Sequence, residues 1–258
     1  MKPKLLIDAG HNFSSFNTGA AANGLQEHEI TFDVSQQLAQ LLANDFDIRL
    51  TRPTLQTNLG RDNASAINAR WQMANEWRAD AFISIHTNAG GGTGAETFFF
   101  RDNTERSRRS ESFARNVNDI YAADMGLRNR GVKPDTQTAV GAIGVLRHTQ
   151  MPAVLVELAF IDSPPPNPDV EILRNRRAEM ASALARGIRQ HFGVTTTTPA
   201  APVPPKTTVR FDILGTVSDV DGYITDDGVT WVRARQIIEA LGYNVGWNVE
   251  EQAVEVRK

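Results

Sequence analysis

The regular alternation of short apolar runs with segments of helical periodicity is the feature that most constrains the fold. The apolar runs occupy residues 4–8, 46–50, 81–86, 95–100 and 153–157. Ile30, Val34 and Leu38 recur at the spacing of an amphipathic helix, and helices are also predicted around residues 67–74, 113–121 and 168–192. Because strands that alternate with helices form a largely parallel sheet, we predict an α/β fold. Its layered, mostly parallel sheet is expected to carry helices on both faces.

A change in composition divides the chain into two parts. Residues 194–207 contain four consecutive threonines and four prolines, a composition that favours an extended, semi-rigid linker. We expect residues 1–193 to form one domain and residues 208–258 to form a small α+β module. Within the module, the sequence predicts a hairpin over 223–232, a short helix over 233–241 and strands over 243–246 and 253–256.

The composition excludes several classes of site and partner. The 258 residues include no cysteine, which excludes disulfides, thiolate metal sites and a cysteine nucleophile. The formal charge of −3 argues against a broad basic face for nucleic acid, and no apolar run approaches the roughly 18 residues of a membrane span. The N-terminal residues lack the features of a secretory signal. We therefore expect synthesis in the cytoplasm, no nucleic-acid partner and no membrane insertion; the oligomeric state is left open.

Side chains that can bind a metal or transfer a proton follow three of the predicted strands. The first strand leads to Asp8 and His11, the strand over 81–86 ends at His86, and the last strand carries Glu157. Glu27 precedes the first helix. Because sites in open α/β sheets lie outside the carboxyl ends of the strands, we expect these residues to converge in space.

Each of these residues also has an ordinary structural explanation. A single histidine at a strand end is commonly a hydrogen-bonded core or surface residue, and Glu27 could simply favour a helix N-terminus through its charge. Glu157 is harder to explain in this way because it lies among apolar residues at 153–160, where an unpaired charge is costly. A carboxylate buried in such a strand usually has a partner.

Two imidazoles and one carboxylate together fit a catalytic zinc site that keeps its fourth position for water. Zinc lowers the pKa of such a water to about 7 and polarises the carbonyl group under attack. A second glutamate nearby can take the proton of the water and pass it to a leaving amine. The four residues therefore favour hydrolysis of an amide, although their spacing alone leaves the zinc assignment open.

A series of motifs runs in order through residues 4–192. The motifs are Ile7-Asp8-Ala9-Gly10-His11, Gly24-Leu25-Gln26-Glu27, Leu50-Thr51-Arg52, Arg70 with Ala74-Asn75, residues 79–89 with Ser84-Ile85-His86, and Pro152-Ala153-Val154-Leu155-Val156-Glu157. In this order they resemble the zinc-dependent N-acetylmuramoyl-L-alanine amidases of the amidase 3 type, which cleave bacterial peptidoglycan. The resemblance implies that His11, Glu27 and His86 bind Zn²⁺ and that Glu157 is the catalytic carboxylate. The bond cleaved in that family joins the lactyl group of N-acetylmuramic acid to L-alanine of the stem peptide.

Other residues near these motifs have competing interpretations. His28 is a rival to Glu27 as a ligand by its chemistry, whereas His148 and His191 match no family role and are expected to be structural. Arg52 and Arg70 match arginines that recur in the family, and a structural role is at least as consistent with the pattern as contact with substrate. The segment after His11, residues 12–17, departs from the glycine usual in the family, which puts substrate preference in question. Ala159 stands where family members often have glycine after the glutamate, a change expected to be tolerated.

The C-terminal residues resemble a second, smaller module. Residues 230–235 and 240–247 are similar to the copper-amine-oxidase-N-like, or stalk, module that is often appended to bacterial wall enzymes. The resemblance implies a wall-targeting or spacing role and not copper chemistry, because no histidine or cysteine follows His191.

The resemblance thus implies an enzyme that acts on bacterial peptidoglycan, and we expect it to act after its release from the cytoplasm, as a phage endolysin or a sporulation or lysis enzyme. Two other functions are kept open. The first is a zinc peptidase that cuts within the stem peptide, and the second is a non-catalytic wall-binding protein that retains the amidase fold. The presence of all four chemical residues argues against the binding protein, which would have no need of Glu157.

Overall fold

The computed structural model describes residues 2–138, 141–166 and 168–194, together with the backbone of C-terminal strands between residues 207 and 257. The chain divides into two compact units, Met1–Thr195 and Thr196–Lys258. The predicted linker over 194–207 and helix over 233–241 lie almost entirely outside the described residues, so the domain boundaries stay a prediction. Among the described helices, none is both long enough and apolar enough to cross a membrane.

The first unit is built around a six-stranded sheet in the order β4-β1-β5-β8-β6-β7. Its strands are β1 (Lys4–Ala9), β4 (Asp47–Leu50), β5 (Ala81–Asn88), β6 (Ala95–Phe99), β7 (Asn129–Pro134) and β8 (Ala153–Phe160), and a small ribbon joins β2 (Ala21–Ala22) to β3 (Leu25–Gln26). All neighbouring strands of the sheet are parallel except β6 and β8, which are antiparallel. The prediction of a mostly parallel sheet is therefore confirmed, and β7 is a strand that the sequence reading missed.

Helices cover both faces of the sheet, as predicted. They are α1 (Glu27–Leu42), α2 (Asn63–Trp77), α3 (Glu105–Met125), α4 (Gly144–His148), α5 (Pro168–Asn175) and α6 (Arg177–Phe192). One apolar core contains residues of α1, α3 and α6 together with Leu5, Ile83 and Val154 of the sheet. A second core lies on the opposite face, where Ala74 of α2 and Val145 of α4 pack with Leu6, Phe82 and Leu155. Because successive strand side chains point to opposite faces, residues such as Leu5 and Leu6 enter different cores.

The single helix predicted over 168–192 is wrong, because the structure ends α5 at Asn175 and starts α6 at Arg177. Arg176, between them, has a non-helical backbone with φ −122° and ψ 33°. Its guanidinium donates to the carbonyl of Met125 at the end of α3 and to the carboxylate of Glu179. Arg176 thus provides a donor for a carbonyl at the C-terminal end of α3. Because this contact joins segments that are distant in sequence, the helical periodicity of residues 168–192 does not predict it.

The second unit contains antiparallel strands. They are β9 (Thr207–Ile213), β10 (Thr216–Ile224), β11 (Thr230–Val232), β12 (Asn244–Asn248) and β13 (Ala253–Arg257). Strand β10 pairs with both β9 and β11, and β12 pairs with β13. The pairing of β10 with β11 overlaps the predicted hairpin over 223–232 but begins at Gly222, and β12 and β13 fall close to the two further strands predicted from the sequence.

Candidate functional site

Three side chains from different elements meet above the sheet. His11 follows β1, Glu27 is the first residue of α1, and His86 lies on β5. The Nε2 atom of His11 lies 3.1 Å from Oε1 of Glu27, and Nδ1 of His86 lies 3.3 Å from the same oxygen. The two histidine nitrogens are 3.1 Å apart. Among the residues that the structure describes, these three metal-binding side chains form a group close enough to share one ion.

The backbone holds Glu27 from two sides. Its Oε2 accepts a hydrogen bond from the amide of Ala20 at 2.8 Å, and its Oε1 accepts one from the amide of Thr87 at 2.8 Å. Burial by itself would raise the pKa of this carboxyl, but the adjoining imidazoles of His11 and His86 lower the pKa well below the ordinary value. Glu27 is therefore ionised and fixed in direction, as a metal ligand must be.

The second histidine is kept neutral by its surroundings. Burial, together with the neighbouring His11 ring, lowers the pKa of His86, although Glu27 acts in the opposite direction. The neutral imidazole is the form that binds metals. A side chain at Gly10 would collide with this ring, since an added Cβ would lie 2.6 Å from Cε1 and Nε2 of His86. The glycine therefore allows the His86 ring to approach the chain after β1.

His11 occupies an unusual backbone conformation. Its φ of 69° lies in the left-handed region, which is uncommon for a residue other than glycine. The guanidinium of Arg70 donates to the carbonyl of His11, and Nδ1 of His11 lies 3.0 Å from Oδ1 of Asn17. Because an amide oxygen only accepts, Nδ1 carries a hydrogen, and Nε2 is the His11 nitrogen that faces Glu27 and His86.

Arg70 and Arg52 are buried beneath these ligands. Arg70 also donates to the carboxylate of Asp8 and to the carbonyl of Ala9. Arg52 donates to the carbonyls of Gly10 and His28 at 3.2 and 3.0 Å, so it joins the chain beside His11 to the chain beside Glu27. Of the two roles left open for these arginines, the structure supports the structural one.

Asp8 anchors the same network from the end of β1. Its carboxylate accepts hydrogen bonds from the hydroxyls of Thr51 at 2.7 Å and Ser84 at 2.6 Å, and pairs with Arg70. Burial opposes ionisation, but the charge of Arg70 and these donors hold the pKa of Asp8 below its usual range. Asp8 is thus a buried support for the ligand loops and lies outside the group of three.

The loop that departs from the family pattern is fixed by Asn12. This side chain is fully buried, donates to the carbonyl of Leu59 and accepts from the amide of Leu59, each at 3.0 Å. The backbone amide of Asn12 donates to the backbone carbonyl of Asn17 at 2.8 Å. The loop that carries Asn17 to His11 therefore closes on itself and on the chain before α2.

Glu157 lies beside the group of three, on β8. It is the register partner of His86 on β5 and of Glu96 on β6. Its Oε2 is buried and has no hydrogen-bond partner among the described residues. Burial raises the pKa of Glu157 well above the ordinary value, and the negative charges of Glu27 and Glu96 raise it further. A carboxyl group with these properties keeps its proton to a higher pH than an ordinary glutamate, which suits a group that transfers protons.

Glu96 was missed in the sequence analysis. It interrupts the buried strand β6, which is the same signal that drew attention to Glu157. Its Oε2 accepts from Nε of Arg130 at 3.1 Å and from the ammonium of Lys133. Its Oε1 accepts from the side-chain amide of Asn88 at 2.5 Å.

A cleft of about 860 Å³ is lined by the three proposed ligands together with Glu96 and Glu157. Apart from the residues already named, its walls include an apolar patch formed by Ile67, Phe98, Ile143, Val145 and Leu155. A cleft of this size with convergent polar groups is typical of a ligand site. The four residues predicted from the sequence, His11, Glu27, His86 and Glu157, therefore share one cleft at the carboxyl ends of β1, β5 and β8.

The remaining histidines lie apart from this group. Nδ1 of His28 is 3.1 Å from the carbonyl of Thr18, although the residue is adjacent to Glu27 in sequence. His148 contacts the ring of Trp71, and His191 stacks on Phe113. The prediction of structural roles for the last two agrees with these contacts, and the rival assignment of His28 gains no support from its position.

The geometry of the three donors fits zinc. Zinc–ligand bonds of about 2.0–2.2 Å at tetrahedral angles separate the donor atoms by roughly 3.3 Å, and the observed separations are 3.1, 3.1 and 3.3 Å. Two imidazoles with one carboxylate are also a donor set that catalytic zinc sites use.

Comparison with known proteins places these residues in a wider context. The sequence profile of a family described as N-acetylmuramoyl-L-alanine amidase matches residues 5–190. The chain is 34% identical over 192 residues to N-acetylmuramoyl-L-alanine amidase CwlM of Bacillus licheniformis, covering 71% of this chain and 65% of the relative. It is 32% identical over 199 residues to the sporulation-specific N-acetylmuramoyl-L-alanine amidase of Bacillus subtilis (strain 168), covering 75% and 70%. The chain thus spans about two thirds of the length of these relatives.

A solved structure shares the fold of the first unit. The catalytic domain of CwlV, an N-acetylmuramoyl-L-alanine amidase from Bacillus (Paenibacillus) polymyxa var. colistinus, superposes with a TM-score of 0.63 and 26% sequence identity. The superposition covers 76% of this chain and 100% of the catalytic domain.

Proposed function

Because this chain belongs to the N-acetylmuramoyl-L-alanine amidase family, we propose that it hydrolyses the amide between the lactyl group of N-acetylmuramic acid and L-alanine in bacterial peptidoglycan, and that it requires zinc. The observation that carries the proposal is the convergence of His11, Glu27 and His86 beside the orphaned carboxyl of Glu157. The three donors would hold the ion, and Glu157 would act on the substrate within the same cleft.

Zinc held by such a donor set makes water more acidic and polarises the carbonyl group under attack. The chain's own residues supply the rest of the chemistry. Asn17 fixes the tautomer of His11, and the backbone amides of Ala20 and Thr87 orient Glu27. Ligands held in this way lose little entropy when the ion binds.

Glu157 would carry the proton between the two partners of the reaction. Its buried Oε2, which has no hydrogen-bond partner among the described residues, would accept a proton from the attacking water and donate that proton to the nitrogen of L-alanine as the amide bond breaks. The acyl product keeps a lactyl carboxylate, and the released stem peptide keeps a free amine. Water supplies the hydroxyl of the first product and the hydrogen of the second, so the reaction is balanced.

Digestion of purified peptidoglycan tests this proposal. Zinc-loaded and chelator-treated protein would be incubated with the wall polymer, and the fragments would be identified by mass spectrometry. We expect stem peptides that begin with L-alanine, and only in the presence of zinc. Cuts inside the stem peptide would instead identify a zinc peptidase, and no release from several wall types would identify a wall-binding protein.

The second unit would serve attachment to the wall. An enzyme that acts on an insoluble polymer gains effective concentration when a second module binds the same surface, and the sequence of residues 208–258 is similar to modules appended to wall enzymes. The place of action would be the wall after release of the enzyme from the cytoplasm, during host lysis or sporulation.

A further inference from the structure

Two cationic side chains line the cleft on the far side of Glu157 from the three proposed ligands. Arg130 and Lys133 both lie on β7. In the sheet order β5-β8-β6-β7, the strand with Glu157 is two places from β7. Neighbouring strands are about 4.8 Å apart, so the cations lie roughly 10 Å across the sheet from the strand that carries Glu157.

The charge of this pair exceeds that of its one carboxylate partner. The Glu96 side chain is 6% exposed and accepts from both cations, each of which is 26% exposed. Since Asn88 occupies the other oxygen of Glu96, this carboxylate has a donor on each of its oxygens. Two positive charges against one negative charge leave a net positive charge on this wall of the cleft.

The guanidinium of Arg130 is held in position by three neighbouring residues. Its guanidinium lies over the ring of Phe160 at 4.8 Å, its Nε is used by Glu96, and its Nη1 makes a long contact of 3.4 Å with the carbonyl of Thr93. The contacts among described residues leave Nη2 without a partner. Lys133 uses one of its three hydrogens on Glu96 in the same set of contacts. A planar guanidinium fixed by stacking, beside an ammonium, suits a carboxylate.

The chemistry of the proposed substrate says which part of it could supply that carboxylate. The carboxyl group of the lactyl side chain is consumed in the amide that is cleaved, so N-acetylmuramic acid at this bond offers no free carboxylate. Free carboxylates occur on the stem peptide. An extended peptide spans about 3.3–3.6 Å per residue, so roughly 10 Å corresponds to a carboxylate borne two or three residues beyond the bond.

On the basis of the proposed function, we propose that Arg130 and Lys133 form a subsite for a free carboxylate on the second or third residue of the stem peptide. The peptide then runs from Glu157 across β6 towards β7, and the glycan lies on the side of His11 and Asn17. Amidation of that carboxylate, which removes its charge, weakens binding and slows cleavage.

Matched muropeptides test the subsite. Three disaccharide tripeptides would be compared, one with both the α-carboxyl of residue two and the side-chain carboxyl of residue three free, one amidated at residue two, and one amidated at residue three. The ratio of kcat/KM for free and amidated substrates would be measured for the zinc-loaded protein of residues 1–258, for Arg130→Gln and for Lys133→Gln. Because both substrates meet the same enzyme, partial misfolding of a variant cancels from the ratio. Arg115→Gln, which removes an exposed arginine of α3 paired with Glu111, is the control.

We expect the wild type to prefer the free form at one of the two positions by roughly ten- to hundredfold, the scale of a charge-assisted hydrogen bond. Arg130→Gln and Lys133→Gln should bring the ratio towards one, and Arg115→Gln should not change it. The position at which amidation matters identifies the carboxylate. A wild-type ratio of one at both positions, or a preference that survives in both variants, overturns the subsite.

Binding separates this proposal from the proposed function. Calorimetry on zinc-loaded Glu157→Gln protein would measure the affinity for the same three muropeptides without turnover. A preference for the free carboxylate that is lost in Glu157→Gln/Arg130→Gln supports the subsite even if the wild type releases no stem peptide, in which case only the amidase proposal fails. Equal affinities for all three muropeptides, with normal amidase activity in the wild type, overturn only the subsite.

Discussion

The Nδ1 atom of His11 lies 3.0 Å from the side-chain oxygen of Asn17, six residues further along the chain. Asn17 itself has a positive φ of 54°, a conformation that asparagine tolerates better than most residues. The loop from His11 to Asn17 therefore places the Asn17 oxygen beside Nδ1, whereas Nε2 on the other side of the imidazole ring faces Glu27. The hydrogen bond selects the tautomer in which Nε2 is free to bind a metal.

Replacement of Asn17 tests this tautomer control. Asn17→Gly keeps the backbone conformation but removes the acceptor, so we expect zinc affinity to fall by about 10–100-fold, the scale of lost outer contacts to metal ligands. Asn17→Asp keeps an acceptor and should retain affinity within a few-fold. Competition with a chromogenic chelator measures both. Equal affinities in the two variants would contradict the role given to Asn17.

The three proposed ligands are tested by metal content. His86→Ala removes one donor, so the purified protein should lose stoichiometric zinc and its wall-hydrolysing activity. His148→Ala is the matched control, since His148 is exposed and contacts Trp71 away from the cleft. Zinc would be measured by plasma mass spectrometry on both proteins. Full zinc occupancy in His86→Ala would remove this residue from the ligand set.

Glu157→Gln should separate catalysis from metal binding. Zinc content should be unchanged, whereas kcat should fall by about 10²–10⁴-fold, the range for a lost general acid–base group. A variant with near-normal kcat would give Glu157 a structural role instead.

The same variant should stabilise the metal-free protein at high pH. The pKa of Glu157 is raised in the folded state, so its contribution to stability is present below the unfolded pKa of about 4.3 and is lost as the pH rises. Glutamine carries no such charge. The melting temperature of Glu157→Gln should therefore match the wild type near pH 4 and exceed it at pH 8, by roughly 2–4 °C per kcal/mol gained. Chelator-treated samples followed by circular dichroism would show whether the difference grows with pH.

Arg70 is expected to matter for both stability and metal binding. Arg70→Met leaves Asp8 buried without its cation, which costs about 3–5 kcal/mol when a buried pair is broken, and releases the carbonyl of His11. The double variant Asp8→Asn/Arg70→Met should recover part of the loss, because no buried charge remains.

The pair depends on ionised Asp8, whose pKa is lowered, so its stabilisation holds above about pH 4 and disappears as the pH falls. Urea titrations at pH 7 and pH 3 measure each term, and a pH-independent cost of Arg70→Met would argue against this pair.

Removal of residues 208–258 tests the proposed role of the second unit. The shortened protein should hydrolyse soluble muropeptides within about twofold of the rate of the 258-residue chain, because the residues that line the cleft all belong to the first unit. Its attachment to intact walls should weaken, since tethering raises effective concentration only when both modules bind. Sedimentation with purified walls gives the comparison. Unchanged sedimentation would remove the targeting role.

The sequence was informative where a local pattern reports directly on the fold. His86 and Glu157 could be placed at strand ends because β5 and β8 are continuous apolar runs, and the parallel sheet then brings them together. Glu96 is also a charged residue within an apolar strand, β6. Because β6 runs antiparallel to β8, the expectation that sites lie at the carboxyl ends of parallel strands did not identify Glu96. Asn17, Arg130 and Lys133 act through contacts across loops and across the sheet edge, and no spacing in the sequence encodes those contacts.

Strand β6 runs in the opposite direction to β8. The residues proposed to act in catalysis lie on one side of β6 in the sheet, and the residues proposed to bind the stem peptide lie on the other side. The residues proposed to bind zinc belong to β1, α1 and β5, whereas the cationic wall belongs to β7 at the outer edge of the sheet. Sequence changes at that edge leave the buried arginine supports of His11 and Glu27 in place. A library that diversifies residues 129–134 would therefore vary the proposed carboxylate subsite without changing the proposed zinc ligands.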